Sequence, residues 1–371
     1  MMATAENDTI PARNVTNFEI PGTILKQSVP VIAILAIAYF VVFLLCVVGN
    51  SLVCFVVAKI PRMRTVTNYF ILNLAASDIL VAIFCMPFTL VDNIIIGWPF
   101  GNVMCKLTAA VQVVSVLASV FTLVAIAVDR YYAIVYPTTQ TFTGRITLYV
   151  TAGVWMLSLL LMIPQVLLIR ENAWVENGQV ILMLCQETSA FWRKIYTTVL
   201  FICCFIIPLA VIMYLYAQIG LAVWFKPTPG GDKATEEAKA ASLQRKMKVI
   251  KMLLTVVVLF ALSWLPIHVI TMINDYGSLS PDQLDILWIY VYPACHWLIY
   301  LNSAINPIIY GFFNQNFRAA FRTLMMMRRL NVSAFQSRMV SQGTIIRRST
   351  RKRPLKSPTA KTSDEAPPAA V

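Results

Sequence analysis

Seven apolar stretches fill most of the chain, starting near Val29, Tyr69, Leu107, Ile146, Ile195, Met252 and Ile286. A helix needs roughly 20 apolar residues to cross about 30 Å of hydrocarbon, and all seven stretches reach that length. Asp78 is the one charge that interrupts them, and Val29 to Ala58 holds no charged residue. Lipid offers no water to backbone N–H and C=O groups, so such stretches close their hydrogen bonds internally. The pattern predicts an all-α membrane protein, a seven-transmembrane helix bundle over residues 29–312. A polar segment, residues 1–28, precedes it. After it, Phe317, Ala320, Phe321 and Leu324 recur among arginines, the period of an amphipathic helix lying on a membrane surface over residues 313–329. Residues 330–371 are rich in Ser, Thr, Arg and Pro and read as a disordered tail. Pro227, Pro229, Gly230 and Gly231 mark a loop that leads into a helical extension of span six. The sequence has no internal repeat.

Composition agrees, with 58% hydrophobic and 13% charged residues against about 25% charged in soluble domains. The net charge of +13 matters through its placement. Twelve Lys or Arg against two acids follow Asn314, Lys59, Arg62 and Arg64 fill the first loop, and Lys239, Arg245, Lys246 and Lys248 precede the sixth span. A chain that threads alternately puts all of these on one side, which the positive-inside rule makes the cytoplasm. Basic residues flanking spans meet anionic membrane lipids, which excludes nucleic acid as their partner. The opposite side, with the N-terminus, is then extracellular at the plasma membrane. It leans acidic through Asp92, Glu171, Glu176, Glu187, Asp275, Asp282 and Asp285. Two glycosylation sequons, at Asn7 and Asn14, fall on it, whereas a third at Asn331 lies in the basic tail and is expected to go unused. No short apolar segment with a cleavage site precedes Val29, so no removable signal peptide is expected.

Of eight cysteines, Cys46, Cys54, Cys85, Cys203, Cys204 and Cys295 fall inside spans, where a thiol behaves as a small hydrophobe. Cys105 and Cys185 lie on the outer, oxidising side. A disulfide between them is predicted, pinning the loop between spans four and five over the bundle mouth; the alternative is two unpaired thiols.

An ionisable group at mid-bilayer costs about 2.5–3.5 kcal/mol or more. Asp78 has candidate partners in Asn50, Ser119, Asn302, Ser303 and Asn306, a set suited to a cation or a water cluster. A neutral aspartic acid bonded to asparagines fits the same spacing. Asp129-Arg130-Tyr131 closes span three, where a charge pair also arises from simple snorkelling. Trp264 and Pro266 in span six, and Asn306-Pro307 with Tyr310 in span seven, put two proline kinks beside polar groups. Paired kinks suggest bistable helices rather than a rigid pore.

Together these residues resemble the rhodopsin-like class of G-protein-coupled receptors over residues 29–325. The motifs are Gly49-Asn50, Asn73-Leu74-Ala75 before Asp78, Cys105, Asp129-Arg130-Tyr131, Trp155, Pro208 with Tyr216, Trp264-Leu265-Pro266 and Asn306-Pro307 to Tyr310. Each is weak alone; in order, each on its own span, they are specific. The resemblance implies that Arg130 contacts a heterotrimeric G protein once span six swings out, that Tyr216 and Tyr310 steady the open state, and that Trp264 relays ligand binding to Pro266. It implies an allosteric sodium ion at Asp78, Ser119, Asn302, Ser303 and Asn306, and no other cofactor. Arrestin and receptor kinases are implied partners of a tail carrying Ser337, Ser341, Thr344, Ser349, Thr350, Ser357 and Thr359. Departures are Ser263 before Trp264 where many members have Cys, no acid near Lys246 to lock Arg130, no cysteine after the amphipathic helix, and no lysine in span seven, which excludes an opsin.

Trp264, His268, Thr271 and Asp275 share one helical stripe, and His296, Tyr300 and Ser303 another. Stripes of this kind are often packing; these two run up to an acidic mouth, with Gln112 below Cys105, and so are read as lining a ligand cavity. Gln112 stands where amine receptors carry an acid. The segments ILNLAASDILVAIFCMPFTLVDNIIIGWPF and SVFTLVAIAVDRYYAIVYP look like the neuropeptide FF receptors. That likeness implies an amidated cationic peptide ending in Arg-Phe-amide, its arginine on Asp275 and its amide near Gln112 and His296. His268, Thr271, Glu187, Asp92 and Trp264 complete the expected lining. A neuropeptide Y-, orexin- or other peptide-type ligand is the alternative. A transporter is the remote one, against which stands the lack of inverted repeats. The two histidines form no HExxH or other metal-ligand spacing, so an enzyme is not expected.

Overall fold

Four hydroxyl side chains decide where helices begin. Thr65, Thr143, Ser189 and Ser280 each accept a hydrogen bond from the backbone N–H three residues on, satisfying a donor that every helix start leaves free. The computed structural model describes residues 25–136, 142–176, 179–225, 236–314 and 317–322. Among them are seven helices long and apolar enough to cross a membrane: Val29–Lys59, Val66–Ile94, Gly101–Val135, Gly144–Leu168, Ala190–Val223, Ile250–Tyr276 and Pro281–Phe313. They are spans one to seven. All but the first begin earlier than the apolar stretches suggest; at spans two, four, five and seven a polar cap sets the start, which hydropathy does not register. Span five begins at Ala190 rather than near Ile195, which brings Arg193 and Lys194 into the helix. Span six continues a helix that starts at Glu236.

Several spans are irregular at positions that matter below. Span two breaks at Cys85, just before Pro87. Pro266 and Pro307 lie inside the helices of spans six and seven. Span five carries a π-helical segment at Leu200–Ile206 and span seven one at Leu287–Val291; such bulges are frequent at functional sites.

The bundle is apolar outside, and its mostly apolar core carries a set of buried polar side chains. Ile34, Ile37, Phe40, Val41, Leu44, Leu45 and Val48 of span one are exposed, while its Asn50 is fully buried. Side-chain hydrogen bonds cross-link the interior, where small polar groups act as glue between membrane helices. Trp155 Nε1 donates to Asn73 Oδ1 at 2.6 Å, and Asn73 Nδ2 donates to Thr122 Oγ1 at 2.6 Å, tying spans two, three and four. Tyr300 donates to Thr89 at 2.8 Å, tying seven to two.

Between spans four and five lies an antiparallel hairpin that the sequence reading missed, β1 (Ile169–Glu176) and β2 (Gln179–Glu187), with Ile169 opposite Glu187 and Glu171 opposite Cys185. The Cys105–Cys185 disulfide fixes β2 to the first turn of span three, with a Cα–Cα distance of 5.6 Å. The two thiols are therefore paired. Gly97 has φ +97°, and a Cβ there would lie 3.2 Å from the Met183 carbonyl oxygen. This turn lets the Trp98 N–H donate to that oxygen at 2.7 Å, docking the span two–three loop on β2. At the same end, Leu25 forms a β-bridge with Ile95, Lys26 Nζ donates to the Asp92 carbonyl and Gln27 to the Ile289 carbonyl. At the far end residues 317–322 are helical. There Phe317 is buried with its ring 6.0 Å from Tyr310, and Arg318 and Arg322 are exposed.

Candidate functional site

A cavity of about 440 Å³ opens at the hairpin end between spans two, three, five, six and seven. Asp92, Gln112, Glu187, Trp264, Thr271, Asp275 and His296 all line it. Gln112 Oε1 and His296 Nδ1 are buried and have no hydrogen-bond partner among the described residues, so the floor presents unspent polar groups. Glu187 is placed by the end of β2, Asp275 by the last turn of span six. Both π-helical segments touch the cavity, through Leu200 and Trp288. Trp288 stacks on Tyr292 with ring centroids 4.3 Å apart.

His268 does not join this wall. Its ring packs among Phe201, Phe205 and Trp264, with centroids 5.3, 4.6 and 6.0 Å away. It lines an adjoining chamber of about 100 Å³ with Val116, Val120, Phe205 and Phe260, walls that are almost entirely apolar. The expectation that both histidines face the upper cavity is corrected here, because the aromatic side chains on the π segment of span five capture the His268 ring.

Asp275 already has a cation. Arg193 Nη2 lies 2.8 Å from Asp275 Oδ1, and Thr197 donates to Oδ2 at 2.9 Å. The Asp275 side chain is 0% exposed and that of Arg193 26%. Sequence reasoning missed Arg193, since it lies outside the apolar stretch, and missed Thr197, Tyr292 and Thr108. The Ser189 cap was the signal that would have placed Arg193 one turn inside span five.

Below the floor, Asp78, Ser119, Asn302, Ser303 and Asn306 line a second, small cavity of about 20 Å³, enough for one water-sized guest. Asn306 Nδ2 donates to Asp78 Oδ2 at 3.0 Å. Ser119 pairs with Ser77 at 2.8 Å. Ser115, which sequence reasoning left out, also lines this cavity and its buried Oγ has no partner among the described residues; its place one turn before Ser119 was the available clue. Asn50 turns away: its Nδ2 donates to the backbone oxygens of Cys46 and Ser303, at 3.0 and 3.1 Å. The asparagine cross-links spans one and seven instead of touching Asp78. Trp264 lines all three cavities.

At the opposite end Arg130 pairs with its neighbour Asp129, at 2.5 Å from Nη2 and 3.0 Å from Nε, and Thr67 of span two donates to the same Oδ2 at 3.1 Å. Tyr131 packs edge-on against Tyr132 and Tyr136. Tyr216 and Tyr310 are buried, and the Tyr310 hydroxyl has no partner among the described residues. Asn7 and Asn14 lie outside the described residues, as do the serines and threonines of the tail.

Residues 49–310 match the family described as 7 transmembrane receptor (rhodopsin family). Neuropeptide FF receptor 2 of Rattus norvegicus is 47% identical over 302 residues, which cover 79% of this chain and 72% of the relative. Neuropeptide FF receptor 1 of Homo sapiens is 45% identical over 323 residues, 84% and 74% of the two chains. The RYamide receptor of Drosophila melanogaster is 38% identical over 295 residues, 77% and 62%. With seven spans, a disulfide across the mouth, an Asp129-Arg130-Tyr131 end and a family match over most of its length, the chain belongs to the rhodopsin family of seven-transmembrane receptors.

Proposed function

We propose that this receptor binds an amidated cationic neuropeptide, of the Arg-Phe-amide type, in the 440 Å³ cavity, with the hairpin end outside the cell. The observation that carries the reading is a buried carboxylate, Asp275, in the wall of a cavity whose floor holds the unpaired acceptor of Gln112 and the unpaired His296 ring nitrogen. A peptide arginine matches a carboxylate with two parallel N–H donors. A terminal primary amide brings two N–H donors and a carbonyl to the floor. Trp264 and Asp275 lie eleven residues apart on one helix, about 16 Å along its axis, a depth that the last residues of an extended peptide cover. The relatives' names, neuropeptide FF and RYamide, agree with a peptide ligand.

Occupancy presses on Trp264, and the Pro266 kink lets the inner end of span six move. Arg130 then leaves Asp129 and engages the G protein, with Tyr131 beside it, while Tyr216, Asn306, Pro307 and Tyr310 steady the open form. In the small cavity the oxygens of Asp78, Ser119, Asn302, Ser303 and Asn306 suit a sodium ion, and the unpaired Ser115 Oγ supplies a further donor. The basic tail is read as the site of receptor kinases and arrestin and as a contact with anionic lipid.

Asp275→Ala tests the ligand site. Truncating one partner of a desolvated charge pair costs about 2–5 kcal/mol, so peptide-stimulated nucleotide exchange should need at least ~30-fold more peptide. Wild-type potency at wild-type surface level would remove Asp275 from the site.

A further inference from the structure

We propose that Arg193 is a resident cation of the ligand cavity: it occupies Asp275 until a ligand cation displaces it, and the freed Arg193 passes to Glu187. The proposal rests on the peptide reading above, in that it needs a ligand cation to meet Asp275.

Access comes first. Both oxygens of Asp275 are engaged, Oδ1 by Arg193 and Oδ2 by Thr197, and the carboxylate side chain is 0% exposed. A ligand guanidinium that grips both oxygens therefore takes the place of Arg193. The resident pair is also poorly made. One Nη2–Oδ1 approach holds it, and the buried Arg193 Nε has no acceptor among the described residues. Arginine and carboxylate bind best through two parallel N–H···O bonds, and an incoming guanidinium that is free to orient makes both. Arg193, whose backbone is set one turn inside span five with its N–H donating to Ser189 O at 3.0 Å, makes one approach in this arrangement.

A displaced arginine needs a destination. Arg193 is 26% exposed, so its head already borders the cavity space. Glu187 lines the same cavity, immediately before the span five cap, and among the described residues its carboxylate has no ion pair or hydrogen bond. The two acids and one arginine form an element with two arrangements, and a ligand cation favours the second by taking the first carboxylate.

This arrangement inverts the usual effect of deleting a cavity residue. Without Arg193, the empty receptor carries an uncompensated buried carboxylate, which is costly. A ligand guanidinium then relieves that cost and displaces nothing. Affinity should rise where an ordinary contact residue would lower it.

The test uses the full-length receptor in cell membranes and two synthetic amidated peptides, one ending Arg-Phe-amide and one with neutral citrulline in place of that arginine. Arg193→Met is expected to bind the arginine peptide about tenfold more tightly or better, within the range of measured charge-pair couplings, with the citrulline peptide unchanged within ~2-fold. Lys194→Met removes the same charge from the next residue, whose Nζ lies over the Tyr276 ring at 5.6 Å, and is expected to shift neither peptide beyond ~2-fold. Glu187→Gln is expected to weaken the arginine peptide, and to have no further effect once Arg193 is Met. Equal or weaker binding by Arg193→Met, or an equal gain from Lys194→Met, overturns the exchange while leaving the peptide reading intact. An effect of Glu187→Gln that persists in the Arg193→Met background overturns the destination. A wild-type receptor that binds neither peptide overturns both readings. Should Arg193→Met fail to reach the membrane, Arg193→Gln carries the same expectations.

Discussion

Gly49 sits where span one must let Pro307 of span seven pass. A Cβ at Gly49 would fall 2.9 Å from Pro307 Cγ, a distance that forces either helix to move. Overpacking of this kind costs about 1–3 kcal/mol. Gly49→Val should therefore lower the apparent melting temperature of the detergent-solubilised receptor and reduce its surface level; a variant that melts with the wild type would mean that the first span yields freely. Residues like this one were legible as a motif, since Gly49-Asn50 was singled out, but their partners were not. Nothing in a linear sequence says that Asn50 turns to Ser303 and Cys46 rather than to Asp78. Asp78, Ser119, Asn302, Ser303 and Asn306 were easier, because a polar side chain in hydrocarbon is conspicuous and converges with others of its kind. Arg193 was hidden for the opposite reason. A charge eight residues after a loop cysteine looks like loop, and only the Ser189 cap turns it into a residue one turn inside a span.

Helices were easy to find because bilayer thickness fixes their length, and the starts of spans two, four, five and seven were misjudged because capping is chemistry rather than hydropathy. The hairpin escaped for a different reason. Its strands, Ile169–Glu176 and Gln179–Glu187, continue directly from span four and carry mixed charged and apolar residues, so neither a clean alternation nor a break announced them. The two π segments were equally invisible, since an i→i+5 turn has no sequence signature of its own. The hairpin's position over the cavity depends on Cys105–Cys185, which closes a separation of 80 residues. Loss of a native disulfide typically costs about 2–5 kcal/mol, here in an element that carries Glu187. Cys105→Ser and Cys185→Ser should each weaken labelled-peptide binding on intact cells by at least ~10-fold, and the double variant should match either single one. Full affinity in a single variant would show that β2 is held by its other contacts, such as the Trp98–Met183 hydrogen bond.

At the scale of the molecule the surface is greasy, and the core, though mostly apolar, holds buried polar side chains that gather around separate chambers. In the proposed reading the lower chamber holds sodium through Asp78, whose side chain accepts from Asn306 at 3.0 Å. Sodium chloride should then lower agonist affinity severalfold in membranes of the wild type, against a control of equal ionic strength. Asp78→Asn keeps the size and loses the charge, and should abolish the difference between sodium and the control salt. A variant with undiminished sodium sensitivity would place the ion elsewhere. The indole of Trp264 is a common partition to the three chambers, and energetic coupling through a shared wall is reciprocal. A tiny occupant beneath that partition ought therefore to act as a gauge of the large one above: compounds that expel it would be activators, and compounds that leave it seated would be blockers, so ion release alone would sort a chemical library by efficacy.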